Sequence, residues 1–282
     1  RSGLKGALIP YDRWVKRVQP SRHDEKTCYV VYSGYRTHNE DTTYAYVTRD
    51  LGATWEDIGG GMGNPASDIE EDPDNPDALY LATDYGLFLS LDRGKSWAKF
   101  STSAPQVIIK DLAIQRRDRD LVIATYGRGI HIADIQPVKE LKPENLAKEA
   151  FLFEVEDAVQ WQRIDRRGND LGETAREARA ENPTPGAAIY YHLAAAASKV
   201  QLTIKDLEGN PVQEIKGGAE KGLHKAFWGL NKKVDQDRLE GLSREERGRL
   251  TRLDPGTYIV GLTVDGKDAG TRKVRVLPDP VL

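Results

Sequence analysis

The chain has 282 residues, of which 39% are hydrophobic and 30% charged, as in a folded globular protein of one large or two ordinary domains. The formal net charge is −3 and basic residues are scattered among acidic ones, which argues against a nucleic-acid-binding protein. No apolar run approaches 18 residues, so the sequence predicts no membrane span. The single cysteine, Cys28, cannot form an internal disulfide.

Taken in chain order, the predicted strands group into about three four-stranded blades of an all-β propeller. Trp14–Val18 is interpreted as the outer end of a preceding blade, and Gly59–Pro65 as the crossing between two blades. The strands predicted after Trp14–Val18 are, in the first blade, Cys28–Ser33, Tyr44–Thr48 and Trp55–Ile58, and in the second Asp68–Glu71, Ala78–Thr83, Gly86–Leu91 and Ser96–Phe100. A third blade runs from Val107.

A repeated motif organises these strands. Thr48–Trp55 and Ser90–Trp97 both read [ST]-x-D-x-G-x-x-W, and their aspartates are 42 positions apart (92 − 50). A period near 40 suits a four-stranded propeller blade. Aspartate accepts backbone N–H groups in a turn, glycine allows positive φ, and tryptophan buries a large ring beside the next blade. The residues assigned this structural role are Asp50, Gly52, Trp55, Asp92, Gly94 and Trp97.

The third blade is degenerate and the ring is incomplete. Leu121–Thr125 repeats Leu79–Thr83 at the same offset of 42, but no Gly and Trp follow Asp134 as they follow Asp92. Closed propellers have roughly 4–8 blades. We therefore expect the partial propeller, residues 1–137, to be completed by the remainder of a longer chain or by another subunit.

A linker (138–150) and a second all-β domain (151–282) follow. Its roughly seven short strands predict an immunoglobulin- or fibronectin-like β-sandwich. Residues 238–252 have helix-like spacing and are predicted as a helical insertion, with Ser243 as N-cap and Glu246 three residues later.

The repeats resemble the Asp-box (BNR) repeats of sialidase-type and sortilin-type propellers. The wider stretches 18–24, 72–77 and 124–130 resemble large secreted bacterial proteins with sortilin-like repeats. The resemblance implies an extracellular, cell-surface or periplasmic location and a binding scaffold for a protein, peptide or glycan. Two alternatives stay open: a secreted glycoside hydrolase whose catalytic residues lie mainly in missing N-terminal blades, and an accessory subunit of a larger extracellular assembly.

The connections between second and third strands should lie on the propeller face opposite the repeated turns. They carry a group of aromatic and cationic residues suited to recognition, although ordinary solvated loops remain the alternative. The candidate binding residues are Tyr35, Arg36, His38, Tyr85, Tyr126 and Arg128.

No spacing defines a catalytic set, so the catalytic residues stay unknown. Tyr126 and Arg128 are residue types that a sialidase uses, and Asp68, Glu70 and Glu71 are carboxylates that a glycosidase could use by position alone. The five histidines are scattered and the acidic turn at 72–77 lacks the order of a calcium loop, so the sequence predicts no metal and no cofactor.

Overall fold

A computed structural model describes residues 13–100, 106–161, 184 and 186–280. The chain is all-β and divides into two compact units, Arg1–Lys142 and Pro143–Leu282. Within the described ranges, none of the helices has the length and apolar character needed to cross a membrane.

The first unit begins with a four-stranded antiparallel sheet. Its strands are β1 (Trp14–Pro20), β2 (Cys28–Ser33), β3 (Tyr44–Thr48) and β4 (Glu56–Asp57), in sequential order, with a one-turn helix α1 (Tyr35–His38) between β2 and β3. This corrects the interpretation of Trp14–Val18, which forms part of β1 and pairs with β2 instead of ending a preceding blade. Which sheet a strand belongs to depends on its pairing partner, and the sequence of the strand alone does not show that partner.

A second four-stranded sheet repeats this order and a three-stranded sheet follows. The second sheet contains β5 (Ala66–Glu71), β6 (Leu79–Thr83), β7 (Gly86–Ser90) and β8 (Ala98–Lys99), and the third contains β9 (Ile109–Gln115), β10 (Asp120–Thr125) and β11 (Ile130–Asp134).

The third sheet therefore has three strands and not the predicted four. After β11 the chain enters a 3-10 helix, Gln136–Glu140, with Pro137 in its first turn. Proline has a fixed φ and no N–H, so it suits a helix start better than a ladder position. Val138 is buried in the core of the first unit. Residues 138–142, predicted as linker, thus pack with the first unit.

The sheets of the first unit pack face to face through equivalent positions. The cross-strand pairs Tyr29–Val47 and Val31–Ala45 of the first sheet are buried in a core shared with β5 and β6. In the second sheet the pairs in the same register, Tyr80–Leu89 and Ala82–Leu87, lie in a core shared with β9 and β10. Alternate residues of each strand thus form the core with the next sheet, as the period of two along a strand requires.

The second unit contains two sheets around one core. Its elements are α2 (Pro143–Leu146), β12 (Ala150–Leu152), β13 (Ala158–Gln160), β14 (Ala187–Leu193), β15 (Val200–Lys205), β16 (Pro211–Lys216), β17 (Gly222–Trp228), α3 (Arg244–Thr251), β18 (Gly256–Val264) and β19 (Lys267–Pro278). The strand orders are β12-β14-β17 and β13-β19-β18-β15-β16, and only the β13–β19 pairing is parallel among the described strands.

Both sheets of the second unit contribute to the same hydrophobic cluster. Ile189 and Trp228 come from the smaller sheet, and Leu202 and Val260 from the larger. Two sheets around one core fit a β-sandwich, while an immunoglobulin- or fibronectin-like identity stays a prediction. The capping box predicted for α3 is confirmed, because Ser243 accepts the Glu246 N–H and the Glu246 side chain accepts the Ser243 N–H.

Candidate functional site

The repeated motif forms two turns with the same hydrogen bonds. In the β3–β4 turn, Thr48 Oγ1 accepts the Gly52 N–H (2.8 Å) and donates to Asp50 Oδ1 (2.8 Å). Asp50 also accepts the Thr54 N–H (2.8 Å) and the Thr54 hydroxyl (2.6 Å). The Thr54 hydroxyl is the main cause that lowers the pKa of Asp50 to about 2. This carboxylate is therefore fully occupied in holding its own turn.

The β7–β8 turn has the same side-chain hydrogen bonds as the β3–β4 turn. Ser90 Oγ accepts the Gly94 N–H (2.8 Å) and donates to Asp92 Oδ1 (2.8 Å). Asp92 accepts the N–H (2.9 Å) and hydroxyl (2.5 Å) of Ser96. Gly52 and Gly94 have φ of 88° and 86°, the positive values that glycine permits at low cost. The motif aspartates thus hold turns, and nothing in their contacts points to catalysis.

The two motif tryptophans lie in equivalent turns on adjoining sheets. Trp97 of the second sheet donates its indole N–H to the carbonyl of Ile58, which follows β4 of the first sheet, at 2.6 Å. Its ring packs against the core between the first two sheets. Trp55 is half-buried, and its indole has no hydrogen-bond partner among the described residues.

The predicted recognition loops meet at the opposite end of the first unit. Thr43, which ends the β2–β3 connection, bonds through Oγ1 to the carbonyl of Asn64 (2.6 Å), and the Asp84 N–H donates to the carbonyl of Pro65 (3.0 Å). Lys110 then joins the next two connections, because its Nζ lies 3.5 Å from Asp84 Oδ1 and 5.7 Å from the centre of the Tyr126 ring. These contacts place all three predicted connections along one end of the sheets.

Exposed aromatic rings mark this end. Tyr35, Tyr85 and Tyr126 are 48%, 46% and 67% exposed, and Arg128 is also exposed. We call these four residues the tyrosine rim. Arg36 lies in α1, but its side chain is outside the described part of the structure.

An ion pair fixes the base of the β2–β3 connection. Glu40 Oε2 accepts the Arg13 Nε–H (2.8 Å) and the Tyr44 hydroxyl (2.9 Å), and the bond from Arg13 is the main cause that lowers the pKa of Glu40. Arg13 Nη1 also lies 2.7 Å from Nδ1 of His38. Because guanidinium only donates, His38 accepts at Nδ1. His38 therefore supports the loop conformation rather than extending freely from the rim.

A second polar group lies on the first strands of the three sheets, where the sequence indicated only isolated carboxylates. Arg17, Asp68 and Asp111 occupy equivalent register positions on β1, β5 and β9, since they pair with Val31, Ala82 and Ala124. Arg17 Nε lies 3.1 Å from Asp68 Oδ1, and the Arg17 guanidinium also pairs with Glu70. The side chain of Asp68 also lies beside that of exposed Asp111, and this contact adds to desolvation in raising the pKa of Asp68. We call Arg17, Asp68, Glu70 and Asp111 the first-strand cluster.

Asp68 mainly connects one sheet to the next. It is buried, and its two oxygens accept the N–H groups of Ile69 and of Leu112 in β9, each at 2.8 Å. Desolvation raises the pKa of Asp68 to about 7, although these N–H donors and Arg17 oppose the shift. Desolvation also raises the pKa of Glu70. A carboxyl group with a pKa near 7 is a candidate general acid, but each oxygen of Asp68 already accepts a backbone N–H.

Glu71 points away from this cluster and is fully engaged elsewhere. Its oxygens accept the hydroxyls of Tyr29 (3.0 Å) and Ser21 (2.9 Å) and the Arg22 N–H (2.6 Å). The neighbouring Asp72 accepts both a Tyr80 hydroxyl and Arg119. Both carboxylates brace buried turns, which removes Glu71 from the candidate catalytic carboxylates.

Sequence reasoning missed Arg17, Lys110 and Asp111. Arg17 and Asp111 share the register position of Asp68, so aligning the first strands of the three repeats could have found them. Within the described ranges, no group of three or more His, Cys, Asp or Glu side chains could hold a metal ion.

Comparison with known proteins identifies no family. No family model and no curated protein matches the chain. Structural matches include the extracellular domain of a hybrid two-component system of B. thetaiotaomicron (12% identity, TM-score 0.35), which covers 94% of this chain and 32% of that one. A GH74 xyloglucanase from Xanthomonas campestris has 14% identity and a TM-score of 0.34, covering 93% and 38%.

A GH74 enzyme from Niastella koreensis has 13% identity and a TM-score of 0.33, and the match covers 92% of this chain and 46% of that one. The chain thus spans less than half the length of each of these proteins. At such TM-scores the likenesses establish neither a shared fold nor a shared activity.

Proposed function

We propose that this chain is part of a secreted or cell-surface binding protein that recognises a protein, peptide or glycan through the tyrosine rim. In this proposal the three sheets of the first unit are propeller blades of the Asp-box type. The observation that carries it is the convergence of three successive sheet connections, each with an exposed tyrosine, at one end of the unit.

The chemistry of the rim supports recognition. Tyrosine offers a large, rigid surface with a polar tip, and little conformational entropy is lost when it binds. Lys110 holds Tyr126 beside Asp84, so part of the surface is ordered before a ligand arrives. Glu40 and Arg13 fix the longest connection in the same way. Such preorganisation lowers the entropic cost of binding.

A binding screen of the purified chain on glycan and peptide arrays, followed by titration of the hits, tests this function. We expect the double variant Tyr85→Ala/Tyr126→Ala to weaken binding at least tenfold, about 1.4 kcal/mol. Leu51→Ala is the matched control, because Leu51 is an exposed apolar residue in the β3–β4 turn at the other end of the sheets. Equal affinities for the wild type and the double variant would refute recognition by the rim.

A second candidate function is glycoside hydrolysis. The neighbouring carboxyl groups of Asp68 and Asp111 favour it, because Asp111 is exposed and desolvation is the main cause that raises the pKa of Asp68 to about 7. A two-carboxylate mechanism needs one protonated and one ionised group. If the chain hydrolyses polysaccharides, Asp111→Asn should abolish release of reducing sugar, whereas Asp118→Asn at an exposed turn should not. Unchanged release in Asp111→Asn would exclude this pair as the catalytic centre.

A further inference from the structure

The smaller sheet of the second unit ends in a long and regular edge strand, β17. In the strand order β12-β14-β17, Gly222–Trp228 comes last, so among the described strands its outer edge faces no further strand of that sheet. Along such an edge, alternate N–H and C=O groups point away from the sheet. The pairing of β17 with β14 covers the whole strand without a register shift. The edge therefore has the straight geometry that an additional strand needs.

The other sheet edges of the second unit lack this regularity. β16, at the edge of the larger sheet, begins with Pro211, which has no N–H, and its pairing with β15 shifts register between Ile204 and Lys205. The edge strands β12 and β13 are only 3 residues long. Proline, irregular pairing and short length protect sheet edges from added strands. Among the described strands of this unit, only β17 is an edge strand without any of these features.

The outward face of β17 has an apolar, a cationic and a second apolar side chain in a row. Trp228 lies in the core of the unit, so Leu223, Lys225 and Phe227, which are an odd number of positions before it, point outward. Leu223 is 47% and Phe227 40% exposed. Lys225 Nζ lies 4.9 Å from the centre of the Tyr190 ring and 5.0 Å from that of Phe227. Two cation–π contacts thus fix the ammonium group between the two apolar side chains.

We propose that β17 binds an extended peptide as a fourth strand of this sheet, and that the peptide has the pattern apolar-x-acidic-x-apolar. The peptide backbone would pair with the edge of β17. Its acidic side chain would lie beside Lys225 and its apolar side chains beside Leu223 and Phe227, because residues directly opposite on adjoining strands share a face. The pattern reads the same in both directions, so a peptide running either way can match it. The inference is independent of recognition by the tyrosine rim.

The charge of Lys225 argues against a second copy of this chain as the added strand. Lys225 is the middle residue of Gly222–Trp228. Two copies of β17 paired antiparallel over their full length would place the two Lys225 side chains directly opposite each other, and like charges in that position are destabilising. A carboxylate in the same position is attracted instead. Because the ammonium group is already held in place, less entropy is lost when this contact forms.

Titration of the purified chain with a fluorescein-labelled peptide of sequence STVTDTITS, followed by fluorescence anisotropy, tests the proposal. The control peptide STVTKTITS differs only in the charge of its central residue. We expect the aspartate peptide to bind about tenfold more tightly, since the exchange turns an attraction into a repulsion. Lys225→Glu should reverse this preference. Lys216→Glu, at an exposed lysine of the edge strand β16, is the matched control and should leave it unchanged.

Hydrogen–deuterium exchange measured by mass spectrometry tests the strand pairing itself. The bound aspartate peptide should slow exchange within residues 222–228 and leave residues 211–216 unchanged. A third peptide, SPVPDPIPS, keeps the acidic and apolar side chains but has proline at every second position. We expect it not to bind, because proline lacks the N–H that a paired strand requires.

Three results would overturn the proposal: no difference between the aspartate and lysine peptides, including no binding by either, an unchanged preference in folded Lys225→Glu, or exchange within 222–228 that the peptide does not slow. A dimer that protects 222–228 without peptide would also overturn it and assign the edge to a second copy. The peptide comparison uses the native protein, so it decides the question even if Lys225→Glu fails to fold. Tyr85→Ala/Tyr126→Ala should leave peptide binding unchanged, so failure of the rim function and failure of this inference are distinguishable.

Discussion

The two repeated turns of the first unit share their backbone and hydrogen bonds but differ in what their tryptophans contact. Trp97 bonds to the carbonyl of Ile58 across a sheet boundary and packs on a shared core. Trp55 has the same turn around it, yet its indole finds no hydrogen-bond partner among the described residues. The turn therefore determines local geometry, while the neighbouring sheet determines how much the tryptophan stabilises the fold.

The largest expected difference comes from removing the two rings. Trp97→Ala should lower the free energy of unfolding by about 3 kcal/mol, because it deletes a packed aromatic ring and leaves the Ile58 carbonyl without its donor. Trp55→Ala should cost about 1 kcal/mol, because the Trp55 ring has no core contact or hydrogen bond to another sheet among the residues that the structure describes. Urea denaturation followed by circular dichroism measures both. Equal losses would mean that the two tryptophans have the same surroundings.

The glycines should show a smaller contrast of the same kind. Alanine at either position must adopt a positive φ, which should lower the free energy of unfolding by about 1 kcal/mol. At Gly94 the added Cβ would also lie 3.0 Å from the Ile58 side chain, whereas at Gly52 its nearest neighbour is the Trp55 ring at 3.9 Å. Gly94→Ala should therefore cost about 2 kcal/mol and Gly52→Ala about half that. A larger loss at Gly52 in the same denaturation assay would contradict the inter-sheet contact.

The aspartates should show the smallest contrast, because their hydrogen bonds are alike. Asp50→Ala and Asp92→Ala should shift the denaturation midpoint by similar amounts at neutral pH. Desolvation opposes the shift of Asp92, but the combined hydrogen bonds from Ser96, Ser90 and the Lys95 N–H lower its pKa as well. A carboxylate whose pKa is lower in the folded than in the unfolded chain stabilises the fold at pH above the unfolded value of about 4. This stabilisation is lost as the pH falls through the folded pKa.

The difference between wild type and Asp50→Ala should accordingly shrink between about pH 4 and the folded pKa of about 2. Urea denaturation midpoints of both proteins, measured across this pH range, show whether the difference shrinks as expected. A difference that grows on acidification would show that Asp50 does not act as an ionised acceptor in its turn.

The sequence predicted the repeated turns well, because each depends on side chains within the single stretch Thr48–Trp55 or Ser90–Trp97, whose residues have strong local preferences. It also predicted the α3 cap, for the same reason. It failed where the answer depends on partners far along the chain. Trp14–Val18 is part of the first strand of a sheet because of its pairing with β2. The missing fourth strand of the third sheet has a local cause, since the chain enters a 3-10 helix with Pro137 in its first turn.

The candidate site shows the same division. The sequence predicted which connections carry exposed tyrosines, but not that Lys110 links two of them or that Arg13 and Glu40 hold the third. Nor did it separate Asp68, which joins two sheets, from Glu71, which braces a turn. Residues an odd number of positions apart on one strand, such as Asp68 and Glu71, point to opposite faces, and only the pairing register shows what each face contacts.

Hydrogen–deuterium exchange of the tryptophan indole N–H groups, measured by NMR on the 15N-labelled chain, tests the contrast between the two turns most directly. We expect slow exchange for the indole N–H of Trp97, which donates to the Ile58 carbonyl, and fast exchange for that of Trp55. Trp228, which donates to the Asn231 carbonyl in the second unit, serves as a protected reference. Protection of Trp55 equal to that of Trp97 would contradict the account.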